Sequence, residues 1–277
     1  MDQILIVDYN SPDLGKNFST SLKNTGFAIV KNHPISQNLI RSIYHDWEVF
    51  FNSKHKYDYL FHKVKQDGYF PYLSENAKGS TTKDLKEFYH IYNWGRYPSQ
   101  ISEQTNELIS QFKIIAKKLL FEIHINSPKE IQNNFSMSLD QMIDRSEQNL
   151  LRIIHYPPIT GSEDSKALRA EAHEDINLIT LLVAGSQPGL QVLKKDGSWM
   201  DVSTSPEYII VNIGDMLQEC SNGYYPSTTH RVIKPEDTSV SRYSMPFFVH
   251  ARDEVILSDK HTAKSYLEER LKEIGLK

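Results

Sequence analysis

A histidine and an aspartate separated by one residue, His173 and Asp175, have side-chain types and a spacing that could bind a metal ion. On a β-strand, side chains two positions apart point to the same face, so one ion could contact both. His230 lies several predicted strands later, and a rolled-up sheet could return it as a third ligand. Two imidazoles and one carboxylate leave half of an octahedron free for dioxygen and a bidentate cosubstrate, as non-haem iron(II) requires. Zinc accepts the same ligands, so ligand type alone does not identify the metal.

The His-x-Asp pattern has low specificity when it is taken alone. A chain with 11 histidines and 35 acidic residues is expected to contain about one such pair by chance. The alternative interpretation is a solvent-exposed strand edge, so the metal hypothesis needs support from elsewhere in the sequence.

Support comes from Arg242 and Ser244, which alternate along a predicted strand and therefore share a face. The residues that follow, up to Val249, are largely apolar, and an arginine in such a strand is costly to bury unless it meets an anion. A guanidinium group beside a hydroxyl suits the far carboxylate of a dicarboxylic acid. The alternative is an internal salt bridge with one of the acidic side chains of the chain.

Strands and helices are mixed in the first half of the chain, whereas short strands separated by turns dominate from about Leu150. Helices are indicated where apolar residues recur at steps of three and four, and where Ser36 can act as an N-cap. The predicted helices are 14–22, 37–51, 102–123 and 262–274. The predicted strands are 4–7, 27–30, 151–156, 177–183, 190–193, 208–213, 229–233 and 243–249. This pattern predicts a mainly β fold with flanking helices, built on an antiparallel sandwich or barrel, jelly rolls included.

Length and composition predict one soluble globular domain over residues 1–277, because no linker rich in Pro, Gly or Ser divides the chain. We expect residues 1–145 to form a helical and stranded N-terminal layer and residues 146–277 to form the β core. The formal net charge of −4 provides no basic surface for nucleic acid or an anionic membrane. Cys220 is the only cysteine, and neither a membrane span nor a signal peptide is recognisable. We therefore expect a cytoplasmic protein, and the sequence leaves the oligomeric state open.

Eleven short motifs, in the order in which they occur, resemble the isopenicillin N synthase-like branch of the 2-oxoglutarate- and Fe(II)-dependent dioxygenases, especially its bacterial members. The resemblance extends over nearly the whole chain. The motifs are 4–8, 26–33, 67–71, 84–88, 155–158, 172–175, 189–192, 211–217, 221–223, 229–232 and 242–248.

The resemblance implies that residues 146–277 form a double-stranded β-helix, or jelly-roll, core that uses Fe(II), 2-oxoglutarate and dioxygen. His173, Asp175 and His230 match the iron ligands of the family, so they are the predicted catalytic residues. The implied reaction is the oxidation of a small organic substrate, by hydroxylation or by desaturation or cyclisation, with release of succinate and carbon dioxide.

The resemblance also implies a cosubstrate site. Arg242 and Ser244 match the pair that anchors the distal carboxylate of 2-oxoglutarate, and Tyr156 matches a tyrosine that often bonds to the same molecule. One departure is Ile154, since plant members often have asparagine at this position.

Three alternatives remain open at this point. Isopenicillin N synthase keeps the Arg-x-Ser pair without using 2-oxoglutarate, so an oxidase of that type is the first. A jelly-roll module that binds without catalysis is the second, although the intact set of ligands argues against it. A dioxygenase that modifies nucleic acid or protein is the third, and the charge of the chain does not support it.

Residues near the predicted centre have weaker assignments. Asn212 and Asp215 are interpreted as turn formers rather than as partners of the metal ligands, and Phe248 as a core residue. Three aromatic residues of the N-terminal half could contact the substrate or could equally belong to ordinary packing. They are Tyr69, Phe88 and Tyr92.

Overall fold

The structure, a computed structural model, describes residues 3–75, 82–161, 163–164, 167–183, 185–234 and 237–273. Seven α-helices lie in this part of the chain, and none of them is long and apolar enough to cross a membrane. They are α1 (Leu14–Thr25), α2 (Gln37–Asn52), α3 (Gln104–Asn126), α4 (Lys129–Gln132), α5 (Leu139–Met142), α6 (Asp215–Cys220) and α7 (Ala263–Glu273). Local sequence explains two helix ends. The Ser36 hydroxyl accepts a hydrogen bond from the Asn38 N–H at the start of α2, and Gly26, with a φ of 72°, ends α1.

Twelve strands form two sheets within the described residues. They are β1 (Ile6–Asp8), β2 (Phe27–Lys31), β3 (Gly68–Phe70), β4 (Glu87–Tyr92), β5 (Leu150–Tyr156), β6 (Ala170–His173), β7 (Ile179–Val183), β8 (Leu190–Leu193), β9 (Trp199–Asp201), β10 (Ile209–Ile213), β11 (His230–Val232) and β12 (Arg242–Val249). The larger sheet has the order β1-β2-β10-β7-β12-β5-β4-β3, and the smaller has the order β6-β11-β8-β9. Neighbouring strands pair antiparallel except β1 and β2. The predicted mainly β fold with flanking helices is confirmed.

The larger sheet separates two interiors. On one face, side chains such as Leu181 and Phe247 pack against the long helices, where the Phe112 ring stacks on Phe247 at 5.4 Å. On the opposite face, Leu182 packs with Val192 of the smaller sheet. Since side chains alternate along a strand, each central strand contributes to both interiors. The second interior, between the sheets, contains the polar side chains considered below.

All the predicted strands and helices are present, and their ends differ from the prediction by at most about three residues, as is usual for element boundaries. Position 274 of the last predicted helix lies outside the described residues. Four strands lie outside the predicted ranges, namely β3, β4, β6 and β9. Strand β4 was not recognised as an apolar run because it contains Glu87 and His90, which are nevertheless buried. The division of the chain at residues 145 and 146 stays a prediction, and β1–β4 extend the same sheet as β5, β7, β10 and β12.

Gly214, directly before α6, allows two backbone segments to approach closely. A Cβ atom at this position would lie 2.2 Å from the carbonyl oxygen of Asn177. The Gly214 N–H donates to the carbonyl of Leu178 at 3.0 Å, and the Asp215 N–H donates to the carbonyl of Asp175 at 2.7 Å. The φ of −107° suits any residue, so glycine is required here for space and not for conformation.

Replacing Gly214 by alanine is expected to lower the free energy of unfolding by about 1–3 kcal/mol, because the added methyl group collides with backbone. Gly15→Ala is the matched control, since a Cβ there meets only the ends of the Glu122 and Asn126 side chains, which can rotate away. Urea denaturation of the two variants measures the difference. Equal stabilities would contradict the close approach at Gly214.

Candidate active site

His173, Asp175 and His230, the metal triad, converge so that their ligand atoms all lie within 4.8 Å of one another. His173 ends β6, His230 begins the neighbouring β11, and the two are register partners. Oδ1 of Asp175 lies 4.0 Å from Nε2 of His173 and 3.9 Å from Nε2 of His230. At this spacing one metal ion could contact all three side chains.

The prediction that His173 and Asp175 alternate along one strand is wrong, although their side chains do converge. β6 ends at His173, and Asp175 lies in the connection to β7. The hydrogen bond from the Asp215 N–H to the Asp175 carbonyl ties this connection to the start of α6. The aspartate is therefore positioned by contacts between distant segments and not by strand alternation.

Backbone carbonyl groups determine which nitrogen of each imidazole faces the triad. Nδ1 of His173 lies 2.7 Å from the carbonyl oxygen of Glu171, and Nδ1 of His230 lies 3.1 Å from that of Thr228. A carbonyl oxygen can only accept a hydrogen bond, so each Nδ1 carries the proton and each Nε2 presents its lone pair to the triad. Metal-ligating histidines are commonly oriented in this way.

The second carboxylate oxygen of Asp175 is held by two donors on paired strands. The Thr180 hydroxyl donates to Oδ2 at 2.6 Å and the Asn212 amide donates to it at 2.8 Å. Thr180 and Asn212 are register partners in β7 and β10. The protein thus occupies Oδ2 and leaves Oδ1 facing the imidazoles. The interpretation of Asn212 as a turn former is wrong, because it lies buried within β10, while Asp215 begins α6.

Electrostatics favour the protonation states that a metal ion requires. Burial alone would raise the pKa of Asp175, but His230, His173 and the hydrogen bonds from Thr180 and Asn212 together hold it below its ordinary value. Desolvation, and then the neighbouring His230, lowers the pKa of His173 to about 4. At neutral pH, Asp175 is therefore a carboxylate and His173 a neutral imidazole, the forms in which both can bind a metal.

Arg242, Ser244 and Tyr156 lie together on paired strands of the larger sheet. Arg242 and Tyr156 are register partners, and the guanidinium carbon is 5.0 Å from the centre of the tyrosine ring. Arg242 is 1% exposed, its Nε donates to the carbonyl of Gln187 at 3.0 Å, and its Nη1 is buried without a partner. No carboxylate of the described residues lies within 4.0 Å of this guanidinium group, so the salt-bridge alternative finds no support there.

A buried ion-pair cluster close to the triad was not predicted. Lys86 Nζ lies 2.7 Å from a carboxylate oxygen of Glu75 and 2.8 Å from one of Asp84. The other Asp84 oxygen accepts a hydrogen bond from the N–H of Glu171, two residues before His173. The positive charge of Lys86 also contributes to the low pKa of His173. Residue type does not distinguish this lysine from surface lysines, so only the fold reveals it.

The aromatic residues proposed from the sequence are divided between the two interiors. Phe88 lies between the sheets, where its ring stacks on that of Phe70 at 4.4 Å. Tyr69 belongs to the core on the helical side, so it packs and does not face the triad. Tyr92 is only partly buried, and so is Phe248, which was expected in the core.

Comparison with known proteins now identifies the family. Residues 147–251 match the 2OG-Fe(II) oxygenase superfamily, and residues 5–111 match the N-terminal region of the non-haem dioxygenase in morphine synthesis. A crystallised protein of Shewanella oneidensis that is assigned as an oxygenase is 48% identical, with 99% of each chain covered and a TM-score of 0.89. The chain belongs to the 2OG-Fe(II) oxygenase superfamily.

Two further relatives are less similar to this chain. JOX2, whose crystal structure was determined in complex with 2OG, Fe and JA, is 26% identical in sequence to this chain. The superposition covers 91% of this chain and 76% of JOX2, with a TM-score of 0.73. Isopenicillin N synthase of Flavobacterium sp. is 26% identical over an alignment of 266 positions, gaps included, that covers 86% of this chain and 79% of that protein. The oxygenase family and the jelly-roll core predicted from the sequence are confirmed by these similarities.

Thr180→Val is expected to weaken metal binding by about 10–100-fold, because Asp175 loses one of the two donors that orient it. Anaerobic titration with Fe(II), followed by calorimetry, measures the affinity. Thr229→Val is the matched control, since that hydroxyl donates to Glu174 and not to Asp175. Wild-type affinity in Thr180→Val would show that the hydrogen bond does not orient the ligand.

Proposed function

We propose that this superfamily member is an Fe(II)- and 2-oxoglutarate-dependent oxygenase of a small organic substrate, with hydroxylation as the main outcome. Desaturation or cyclisation would use the same site, and succinate and carbon dioxide would be released in each case. The observation that carries the proposal is the metal triad together with a buried guanidinium that lacks an anion. Nη1 of Arg242 needs an acceptor, and no described residue supplies one.

The side chains of the proposed site suit both Fe(II) and 2-oxoglutarate. The metal triad offers two imidazole nitrogens and one carboxylate oxygen, which fits Fe(II) and leaves other coordination positions free. Arg242 would bind the distal carboxylate of 2-oxoglutarate, with Ser244 and Tyr156 beside it. When bound, the iron supplies the redox chemistry by which dioxygen oxidises the cosubstrate and the substrate.

The side chains of the protein orient these groups and exclude water. Thr180 and Asn212 fix the direction of Asp175, and the backbone carbonyls fix both imidazoles. Apolar side chains of both sheets line the same interior, among them Phe88 and Val192. Exclusion of water strengthens the attraction between a buried guanidinium and a carboxylate and protects the reacting groups from side reactions.

A small molecule is the substrate class that the observations favour. The triad lies in the interior between two sheets, and JOX2, a relative, was crystallised with the small ligand JA. The formal net charge of −4 provides no basic surface for nucleic acid. We infer an enzyme of the cytoplasm that acts neither on nucleic acid nor at a membrane.

Anaerobic addition of 2-oxoglutarate to the Fe(II)-loaded protein is expected to produce a visible charge-transfer band, because the keto acid chelates the metal. Arg242→Gln should weaken 2-oxoglutarate binding by about 30-fold or more, since a buried charge pair is lost. Arg231→Gln is the control, because that guanidinium stacks on Trp199 at 3.9 Å and bonds to Gln191. Absorption titration gives all three affinities.

Two other results would contradict the proposal. An iron-loaded protein that shows no band and consumes dioxygen without forming succinate would be an oxidase in the manner of isopenicillin N synthase. An iron-loaded protein that consumes no dioxygen with any member of a substrate panel would be a binding module.

A further inference from the structure

A second arginine, Arg169, reaches the same end of the interior as Arg242 from the side of the smaller sheet. Arg169 directly precedes β6 and is completely buried. Its Nη2 donates at 3.0 Å to the carbonyl of Val240, two residues before Arg242. The guanidinium carbon of Arg169 is 5.8 Å from the centre of the Tyr156 ring, and that of Arg242 is 5.0 Å from it. The two guanidinium groups therefore share one neighbour although their strands belong to different sheets.

Arg169 lacks the partners that a buried guanidinium group needs. Its Nε and Nη1 are buried without a hydrogen-bond partner, as is Nη1 of Arg242. In the part of the chain that the structure describes, no carboxylate lies within 4.0 Å of either group. Buried polar groups are nearly always paired in folded proteins, and an uncompensated buried charge is strongly destabilising. Two such groups at one place indicate a site for an anion.

The charge of the Arg169 side chain agrees with a site for an anion. Burial, and then the positive charge of Arg242, lowers the pKa of Arg169 to about 10. The group is still protonated at neutral pH, so two cations repel each other in a space with little water. A carboxylate bound next to both would remove the repulsion and would accept hydrogen bonds from the three unpartnered nitrogens.

We infer that Arg169 binds the distal carboxylate of 2-oxoglutarate together with Arg242. This inference rests on the proposed function and adds to it a second cation, which comes from the side of the smaller sheet. The carboxylate would then bridge the two sheets at the end of the interior marked by Tyr156. Binding of the cosubstrate would tie the segment before β6 to β12.

The competing role for Arg169 is purely structural, through its hydrogen bond to the carbonyl of Val240. Only one of the three guanidinium nitrogens makes that bond. Glutamine retains an N–H donor that can replace it and removes the charge. Arg169→Gln therefore separates the two roles, and Arg169→Met serves as a second variant if the first does not fold, because it leaves no unpaired polar group.

The test compares two keto acids that differ only at the far end. Both 2-oxoglutarate and 2-oxopentanoate, which lacks the distal carboxylate, are titrated anaerobically into the Fe(II)-loaded protein, and the charge-transfer band reports binding. Arg169→Gln is expected to weaken 2-oxoglutarate binding by at least about tenfold, with little change for 2-oxopentanoate. Arg231→Gln, which alters an arginine outside the interior, should change neither affinity.

Thermal unfolding without ligands supplies a readout that is independent of iron. Arg169→Gln should be at least as stable as the wild type, since it removes an unpaired buried charge, and should gain less stability from 2-oxoglutarate. Unchanged 2-oxoglutarate affinity, or equal losses for both acids, would overturn the inference and leave the proposed function standing. A wild-type protein that gives no band with 2-oxoglutarate would overturn both.

Discussion

The free-energy cost of burying charge determines how the interior between the two sheets is built. For Asp175 this cost is offset by hydrogen bonds from Thr180 and Asn212 to one carboxylate oxygen and by two imidazoles beside the other oxygen. The carboxylate is therefore stable and oriented before any ion binds. The arginines show the opposite arrangement, because Arg169 and Arg242 are buried with nitrogens that the described protein groups do not satisfy. This contrast fits the proposed binding of a cation beside Asp175 and of an anion beside the two arginines.

The same strands stabilise the fold and carry the chemistry, on alternate residues. In β7, Leu181 packs toward the helices while Thr180 and Leu182 face the smaller sheet. In β12, Met245 and Phe247 belong to the helical core, whereas Arg242 faces Tyr156 across the strand pair. A shift of one residue in strand register would exchange these two sets. The apolar core on the helical side therefore fixes the register that places the donors and the guanidinium in the other interior.

The sequence predicts the strands well where apolar residues are continuous, as in β5, β10 and β12, because such runs are typical of buried strands. It fails for β4, since buried charged residues there resemble a loop. It also fails for Asn212, because an asparagine two residues before Gly214 is typical of a turn, and the acceptor of its amide group, Asp175, lies 37 positions earlier in the chain. The convergence of His173 with His230 was predicted from ligand types and from the family resemblance. The position of Asp175 beside them, in a connection tied to the start of α6, could not be predicted, because it depends on contacts between distant segments.

Arg169 illustrates the same limit and also explains how the two ends of the interior depend on each other. Asp175 carries one negative charge and Arg169 and Arg242 carry two positive charges, so these three groups together leave one uncompensated positive charge, whereas the nearby Lys86 is paired with Glu75 and Asp84. A ferrous ion adds two positive charges and 2-oxoglutarate adds two negative charges, so the pair enters without changing the net charge. Either one alone would change it by two. In a medium of low dielectric constant such a change is unfavourable. If the proposed ligands bind as described, the buried arginines and the metal triad would act as one electrostatic unit, in which each ligand favours binding of the other.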